Sequence, residues 1–114
     1  MDDKALLRIN SLLKHIDFVL SEMESVDFQR FNGDELLFRA TSFSIVQIGE
    51  QMAKLQEKIG GKYPNIPWSM AIKMRNVIVH DYDNVVPEIV YLTVKEDLPS
   101  LKEAFLQIKK DYEN

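Results

Sequence analysis

The segment that decides the fold is residues 34–61, DELLFRATSFSIVQIGEQMAKLQEKIGG. Its apolar residues recur every three or four positions, which is the spacing of one face of an α-helix, as in Ile45, Ile48, Met52, Leu55 and Ile59. Asn32 or Asp34 can cap its start, and Gly60-Gly61 predicts a left-handed stop. A helix over residues 34–59 would be about 39 Å long, the length of the long axis of a helical bundle.

The segment before it predicts another helix. Over residues 3–23 one apolar stripe recurs, formed by Leu6, Ile9, Leu13, Ile16, Leu20 and Met23. Residues 26–33 interrupt the pattern and predict a connection between the first and second helices.

Two further helices follow residue 61. Pro67 suits the first position of a third helix, whose buried side we expect to include Trp68, Ile72 and Val79. The fourth begins near Pro87 and continues to about residue 112 with the stripe Ile89, Leu92, Leu98, Leu101, Phe105, Ile108 and Tyr112. Pro99 lies inside this stripe, so we expect a kink there or two helices that meet end to end. The prediction is an all-α, up-down four-helix bundle that forms one domain over residues 1–114.

Composition limits the class of protein. The chain has 114 residues, 46% of them hydrophobic, with four Gly and four Pro, so a globular domain is expected. It has no Cys, and no apolar stretch approaches the ~20 residues that a membrane span needs. The start, Met1-Asp2-Asp3-Lys4, lacks the features of a signal peptide. These features predict a cytoplasmic protein.

Charge is distributed unevenly. The net charge is −4, which argues against a general nucleic-acid coat protein. Residues 51–80, however, carry Lys54, Lys58, Lys62, Lys73 and Arg75 against Glu57 alone. This positive segment would attract a phosphate backbone to one locality, although lysines on a solvated helix face are an equally good interpretation of Lys54 and Lys58 taken singly.

The candidate functional residues follow at the end of the third helix, in Arg75-Asn76-Val77-Ile78-Val79-His80-Asp81-Tyr82. Arginine is a permanently charged phosphate binder, and histidine exchanges protons near neutral pH. A five-residue offset in a helix turns about 140° past a full circle, so Arg75 and His80 would share a site only if the helix ended near Val79 and His80 bent back. On these two residues alone, a C-capping histidine and a solvated arginine are the simpler interpretation.

The wider pattern resembles the HEPN superfamily of all-helical domains, in particular its HepT-like toxin branch. The resemblance covers nearly the whole chain. Its motifs are Ile48-Gly49-Glu50 in the second helix, Tyr63-Pro64-Asn65-Ile66-Pro67-Trp68 before the third, and Arg75-Asn76 leading to His80-Asp81-Tyr82.

This resemblance implies a metal-independent ribonuclease toxin that acts on RNA without a cofactor. Arg75 would bind the scissile phosphate, and His80 would act as general base or general acid. Asn76 and Asp81 would orient these groups. Glu50 either pairs with Arg75 or is a plain solvent-exposed glutamate. No His/Asp/Glu spacing matches a metal site.

The resemblance also implies partners. Two protomers would bring their Arg75/His80 pairs into one cleft, and a surplus of apolar residues, such as Phe28, Phe31, Phe38 and Phe43, is compatible with a homodimer or with a monomeric core. A cognate MntA-like nucleotidyltransferase antitoxin would transfer AMP onto Tyr82 and silence the toxin, or Tyr82 only fixes the turn by a hydrogen bond. The alternative function is a non-catalytic, substrate-binding partner subunit of a small nucleotidyltransferase.

Overall fold

A computed structural model describes residues 2–113, so the ends of the predicted domain, Met1 and Asn114, lie outside the described residues. The described chain is helical and contains no strand. Its helices are α1 (Asp3–Met23), α2 (Phe28–Asn32), α3 (Glu35–Ile59), α4 (Trp68–His80), α5 (Pro87–Leu92) and α6 (Leu98–Glu113). A 3₁₀ turn at Tyr82–Asn84 follows α4, and a wide π-helical turn at Thr93–Asp97 joins α5 to α6.

Side-chain contacts give the directions of the helices. The Lys58 ammonium lies 3.1 Å from an Asp2 carboxylate oxygen, and Arg8 Nη1 donates to Gln51 Oε1 at 3.3 Å, so α1 and α3 are antiparallel. Lys102 pairs with Asp17 at 2.8 Å, which places α6 beside α1.

The third and last long helices complete the arrangement. Glu50 contacts Arg75 and the Phe38 ring lies against Tyr82, so α3 and α4 are antiparallel. The Trp68 ring meets Phe105 of α6 edge to face. The predicted all-α, up-down four-helix bundle is confirmed, with α5 and α6 together as its fourth helix, and its extents are 44 × 29 × 21 Å.

The connection between the first two long helices has a short helix that the sequence did not predict. It contains α2, whose start is capped by the Asp27 carboxylate, which accepts from Arg30 N–H. Its Phe31 ring is buried against Tyr91 and Phe38. Most of the phenylalanine surplus is therefore used inside the chain, in an aromatic cluster formed by Phe28, Phe31, Phe38, Tyr82 and Tyr91.

The break expected at Pro99 lies slightly before the proline. Proline has no N–H, and its ring crowds the carbonyl four residues earlier. The wide turn at Thr93–Asp97, in which Leu98 N–H donates to the Thr93 carbonyl, loosens the helix where that crowding occurs. The helical run from Pro87 to Glu113 therefore continues without a gap through this turn.

Two local predictions were wrong. Gly60 ends α3 in a right-handed conformation, and neither it nor any other described glycine has a positive φ, so there is no left-handed stop. The buried side of α4 consists of Trp68, Ala71 and Ile78, whereas Val79 is exposed. Trp68 itself is a core residue as predicted, and its indole N–H donates to the Tyr63 carbonyl at 3.0 Å.

Candidate active site

The predicted site begins at Arg75, whose guanidinium is held on two sides. Nη1 lies 3.2 Å from Glu50 Oε1, so the expected ion pair between α3 and α4 is formed. Nε and Nη2 both donate to Asn76 Oδ1, at 3.1 and 2.8 Å. The side chain is only 20% exposed. Two of its five N–H donors are thus used in hydrogen bonds to Asn76, and the contact with Glu50 is an ion pair.

Close helix packing brings Glu50 to Arg75. Gly49 lies against α4, and a Cβ built on it would be 2.6 Å from Arg75 Cβ and 3.0 Å from the Ala71 carbonyl oxygen. A side chain at position 49 would therefore push α4 away. The cost of a glycine inside a helix, up to ~1 kcal/mol relative to alanine, is offset here by the close approach of two helices.

His80 departs from the expectation. It is the last residue of α4 and remains in the helix, and Asp81 N–H donates to the Val77 carbonyl at 2.9 Å. The helix therefore does not end at Val79, and His80 does not bend back. Its side chain is exposed and points about 140° away from Arg75 around the helix axis.

Around the axis of α4, Asn76 lies between Arg75 and His80. It is exposed and lies four residues before His80, so both side chains are on one face of α4. Because Asn76 accepts two hydrogen bonds from Arg75, the guanidinium leans from the packed side of α4 toward the face that carries His80. The structure thus brings Arg75, Glu50 and Asn76 together, and His80 one turn further along.

Asp81 has a different partner from the one expected. Its Oδ1 accepts from Asn84 Nδ2 at 2.7 Å, which closes the turn after α4. Within residues 2–113, no hydrogen bond joins Asp81 to His80. No sequence signal predicted the pair of Asp81 and Asn84.

Tyr82 opens the 3₁₀ turn, and its ring is half-buried. The ring packs on Phe38, with 5.8 Å between the centroids, and the Arg39 guanidinium carbon lies 5.8 Å from the Tyr82 centroid. Arg39 is exposed and pairs with Glu35 at 2.7 Å. The Glu35 carboxylate, followed by Tyr82, raises the pKa of Arg39 above its usual value. No sequence signal linked residue 39 to residue 82.

Two further properties concern the described part of the chain as a whole. Within residues 2–113 no three His, Asp or Glu side chains are grouped closely enough to hold a metal ion. No helix in that range is long and apolar enough to cross a membrane.

Comparison with known proteins identifies the family. The profile of the family described as "Ribonuclease HepT-like" matches residues 8–108. The chain belongs to the HepT-like family. Two curated relatives agree with this. A protein of Methanocaldococcus jannaschii named "Putative RNase MJ0125" is 30% identical over 102 residues, which cover 90% of this chain and 88% of that protein. "Probable ribonuclease HepT" of Thermococcus cleftensis is 33% identical over 81 residues, or 68% of this chain and 74% of that protein.

The match covers the site of this HepT-like chain as well as its fold. Glu50, Arg75, His80 and Tyr82 all lie within the matched residues. No solved structure gave a significant match.

Proposed function

We propose that this HepT-like protein is a metal-independent endoribonuclease toxin of a toxin–antitoxin pair. The observation that carries the proposal is the Arg75 guanidinium, held by Glu50 and by Asn76, which lies one helical turn before an exposed His80. A fixed cation and a histidine near the end of the same helix suit cleavage of a phosphodiester, because one group binds the phosphate and the other moves the proton.

The reaction uses the 2′-hydroxyl of the RNA. Its oxygen attacks the adjacent phosphorus and loses its proton, and the bond from phosphorus to the 5′-oxygen breaks. The products are a 2′,3′-cyclic phosphate and a 5′-hydroxyl, so protons balance without water or a metal. His80 acts as the base that accepts the 2′ proton or as the acid that protonates the 5′-oxygen. The N–H groups of Arg75 that Asn76 does not use stabilise the extra negative charge on the phosphate oxygens in the transition state.

A homodimer supplies both proton transfers at once. One imidazole cannot be base and acid in the same step, whereas two His80 side chains in a shared cleft can divide the roles. Asn76, Val77 and His80 form an exposed strip on α4, and Val77 is 42% exposed. Packing of this strip against its symmetry mate would bring two sites together near the two-fold axis.

Transfer of AMP onto Tyr82 by an MntA-like nucleotidyltransferase antitoxin would silence this cleft. The phenolic oxygen attacks the α-phosphorus of ATP, pyrophosphate leaves, and the phenolic proton is released. The added phosphodiester is negative and would lie near Arg39, whose guanidinium carbon is 5.8 Å from the centroid of the Tyr82 ring. A bulky anion at this position would repel RNA.

The decisive experiment is cleavage of RNA by the purified chain in EDTA. Cleavage should persist in the chelator, and Arg75→Ala and His80→Ala should each lose it with unchanged circular dichroism. Arg30→Ala removes an exposed arginine on α2 and serves as the matched control, which should cleave normally. Binding to a nucleotidyltransferase without any RNA cleavage would instead identify a non-catalytic partner subunit.

A further inference from the structure

A second cationic site lies between α1 and α3. Lys4, Leu7, Arg8 and Ser11 of α1 and Gln51 of α3 line a surface cavity of about 350 Å³. Lys4 and Arg8 supply positive charge, and no carboxylate is among the lining residues. The cavity therefore has the composition of an anion site.

Arg8 is the group that makes this cavity unusual. The chain has four arginines; Arg39 and Arg75 have carboxylate partners, and Arg30 is fully exposed. Arg8 is half-buried, and within residues 2–113 it forms no ion pair. Its Nε–H is buried without a hydrogen-bond partner. A partly desolvated cation with an unsatisfied donor gains more from a bound anion than a solvated one does.

The surrounding polar groups hold Arg8 in place. Nη1 donates to Gln51 Oε1 at 3.3 Å, and Gln51 Nε2 donates to Ser11 Oγ at 3.5 Å. The hydroxyl and amide groups thus orient the guanidinium without neutralising its charge. In this respect the site differs from Arg75, whose charge is balanced by Glu50.

The position of the cavity suggests its ligand. Glu50 and Gln51 are consecutive in α3; one contacts Arg75 and the other contacts Arg8. The two guanidiniums therefore lie at one level of the bundle, about 100° apart around the axis of α3. Lys54, one turn later, is exposed on the face between them. A strand crossing α3 would meet positive charge at three successive points.

We propose that this cavity binds a phosphodiester of the same RNA strand whose cleavage Arg75 and His80 perform, upstream or downstream of the scissile bond. The proposal rests on the proposed ribonuclease function. Phosphate contacts of this kind position a strand without reading its sequence. The cavity would hold the RNA in register while the neighbouring phosphate is cleaved.

The test is the salt dependence of binding to a short, uncleavable 2′-O-methyl RNA, measured by fluorescence anisotropy. Arg8→Gln should weaken binding about threefold or more near physiological salt, and should lower the slope of log K against log salt by about 0.7, the contribution of one single-stranded phosphate. Arg8→Lys should keep the slope. Arg30→Gln, the matched control, should behave like the wild type. If Arg8→Gln does not fold, Lys4→Gln at the cavity rim takes its place with the same expected loss of slope.

Four outcomes would overturn the proposal. Wild-type affinity and slope in Arg8→Gln would do so, as would a wild-type chain that binds no RNA. A change of oligomeric mass in Arg8→Gln with normal RNA binding would assign Arg8 to a protein carboxylate, and loss of ATP binding alone would assign it to a free nucleotide. The two proposals can also be separated. If His80→Ala abolishes cleavage but Arg8→Gln binds RNA normally, the proposed ribonuclease function still holds and the proposed cavity does not bind RNA. RNA binding that depends on Arg8 without cleavage would remove that function instead.

Discussion

At the residue scale, the two side chains that position the Arg75 guanidinium differ in charge. Asn76 and Glu50 hold the guanidinium, but only Glu50 carries a negative charge that offsets it. The two effects act in opposite directions on an RNA substrate, because the carboxylate repels the phosphate while it orients the cation that binds it.

Glu50→Gln should therefore affect kcat and KM differently. We expect kcat to fall roughly tenfold, because the guanidinium loses its orientation, while KM stays the same or decreases. Steady-state cleavage of a fluorogenic RNA measures both constants. Glu57→Gln, which removes an exposed carboxylate two turns later in α3, is the control and should leave kcat unchanged. An unchanged kcat in Glu50→Gln would contradict the positioning role.

Tyr82 is held by its ring and not by its hydroxyl. The ring packs on Phe38, and within residues 2–113 no hydrogen bond of its hydroxyl is found. Tyr82→Phe should therefore fold and cleave RNA normally but escape silencing by the antitoxin. Intact-mass analysis after co-expression should show AMP added to the wild type and none to Tyr82→Phe.

Tyr91→Phe is the matched control for this prediction. Tyr91 belongs to the same aromatic cluster, and its hydroxyl donates to the Val26 carbonyl at 3.2 Å. This variant should still receive AMP. If Tyr82→Phe is fully silenced by the active antitoxin, inhibition works by binding alone.

At the element scale, the packing of α3 against α4 determines where the functional side chains meet. α4 has no side-chain cap at its start, and its position depends on the close approach at Gly49 and on the Trp68 anchor. The site is thus built on two rigid helices rather than on a loop, which suits groups that must hold a phosphate in one place.

Gly49→Ala should destabilise the bundle although alanine favours helices. The added methyl would overlap Arg75 Cβ, so α4 must move, at a cost of about 1–3 kcal/mol for an overpacked core. The melting temperature should fall by several degrees, and RNA cleavage should fall with it. Gly61→Ala, where the new methyl meets nothing within 4 Å, should melt like the wild type. Equal stability of the two variants would contradict the close approach.

At the scale of the whole molecule, α4 leaves a strip uncovered. Asn76, Val77 and His80 all face solvent in the single chain, and a valine exposed beside two polar candidate site residues suits an interface with a second copy. Most aromatic residues are used within the chain, although Phe18 on α1 and Phe43 on α3 are 50% and 60% exposed.

Sedimentation velocity at micromolar concentration should give a dimer. Val77→Glu should shift it toward monomer and lower RNA cleavage, because two like charges would meet near the two-fold axis. Val86→Glu places the same charge at a valine that is 51% exposed but lies outside α4, and it should remain dimeric and active. An active monomer would rule out the shared cleft.

The sequence alone determined the helical architecture and indicated the candidate residues of the site. Helical periodicity is a short-range property, so the stripes around Ile48 and Leu101 predicted the long helices to within a few residues. The Asp34 cap was recognisable for the same reason. Gly49 is also a local signal of the close approach of two helices, because contact with a neighbour offsets the cost of a glycine inside a helix.

The tertiary structure decided how those residues face one another. In the structure α4 continues through His80, Asp81 accepts a hydrogen bond from Asn84, and Arg39 lies beside the Tyr82 ring. Tertiary packing also turned the predicted connection at residues 26–33 into a helix that fills an aromatic cluster. These features depend on contacts between residues far apart in the chain or on competition among several hydrogen-bond partners in one turn. Periodicity carries no information about either, because it records which face of a helix is apolar and not which neighbour covers it.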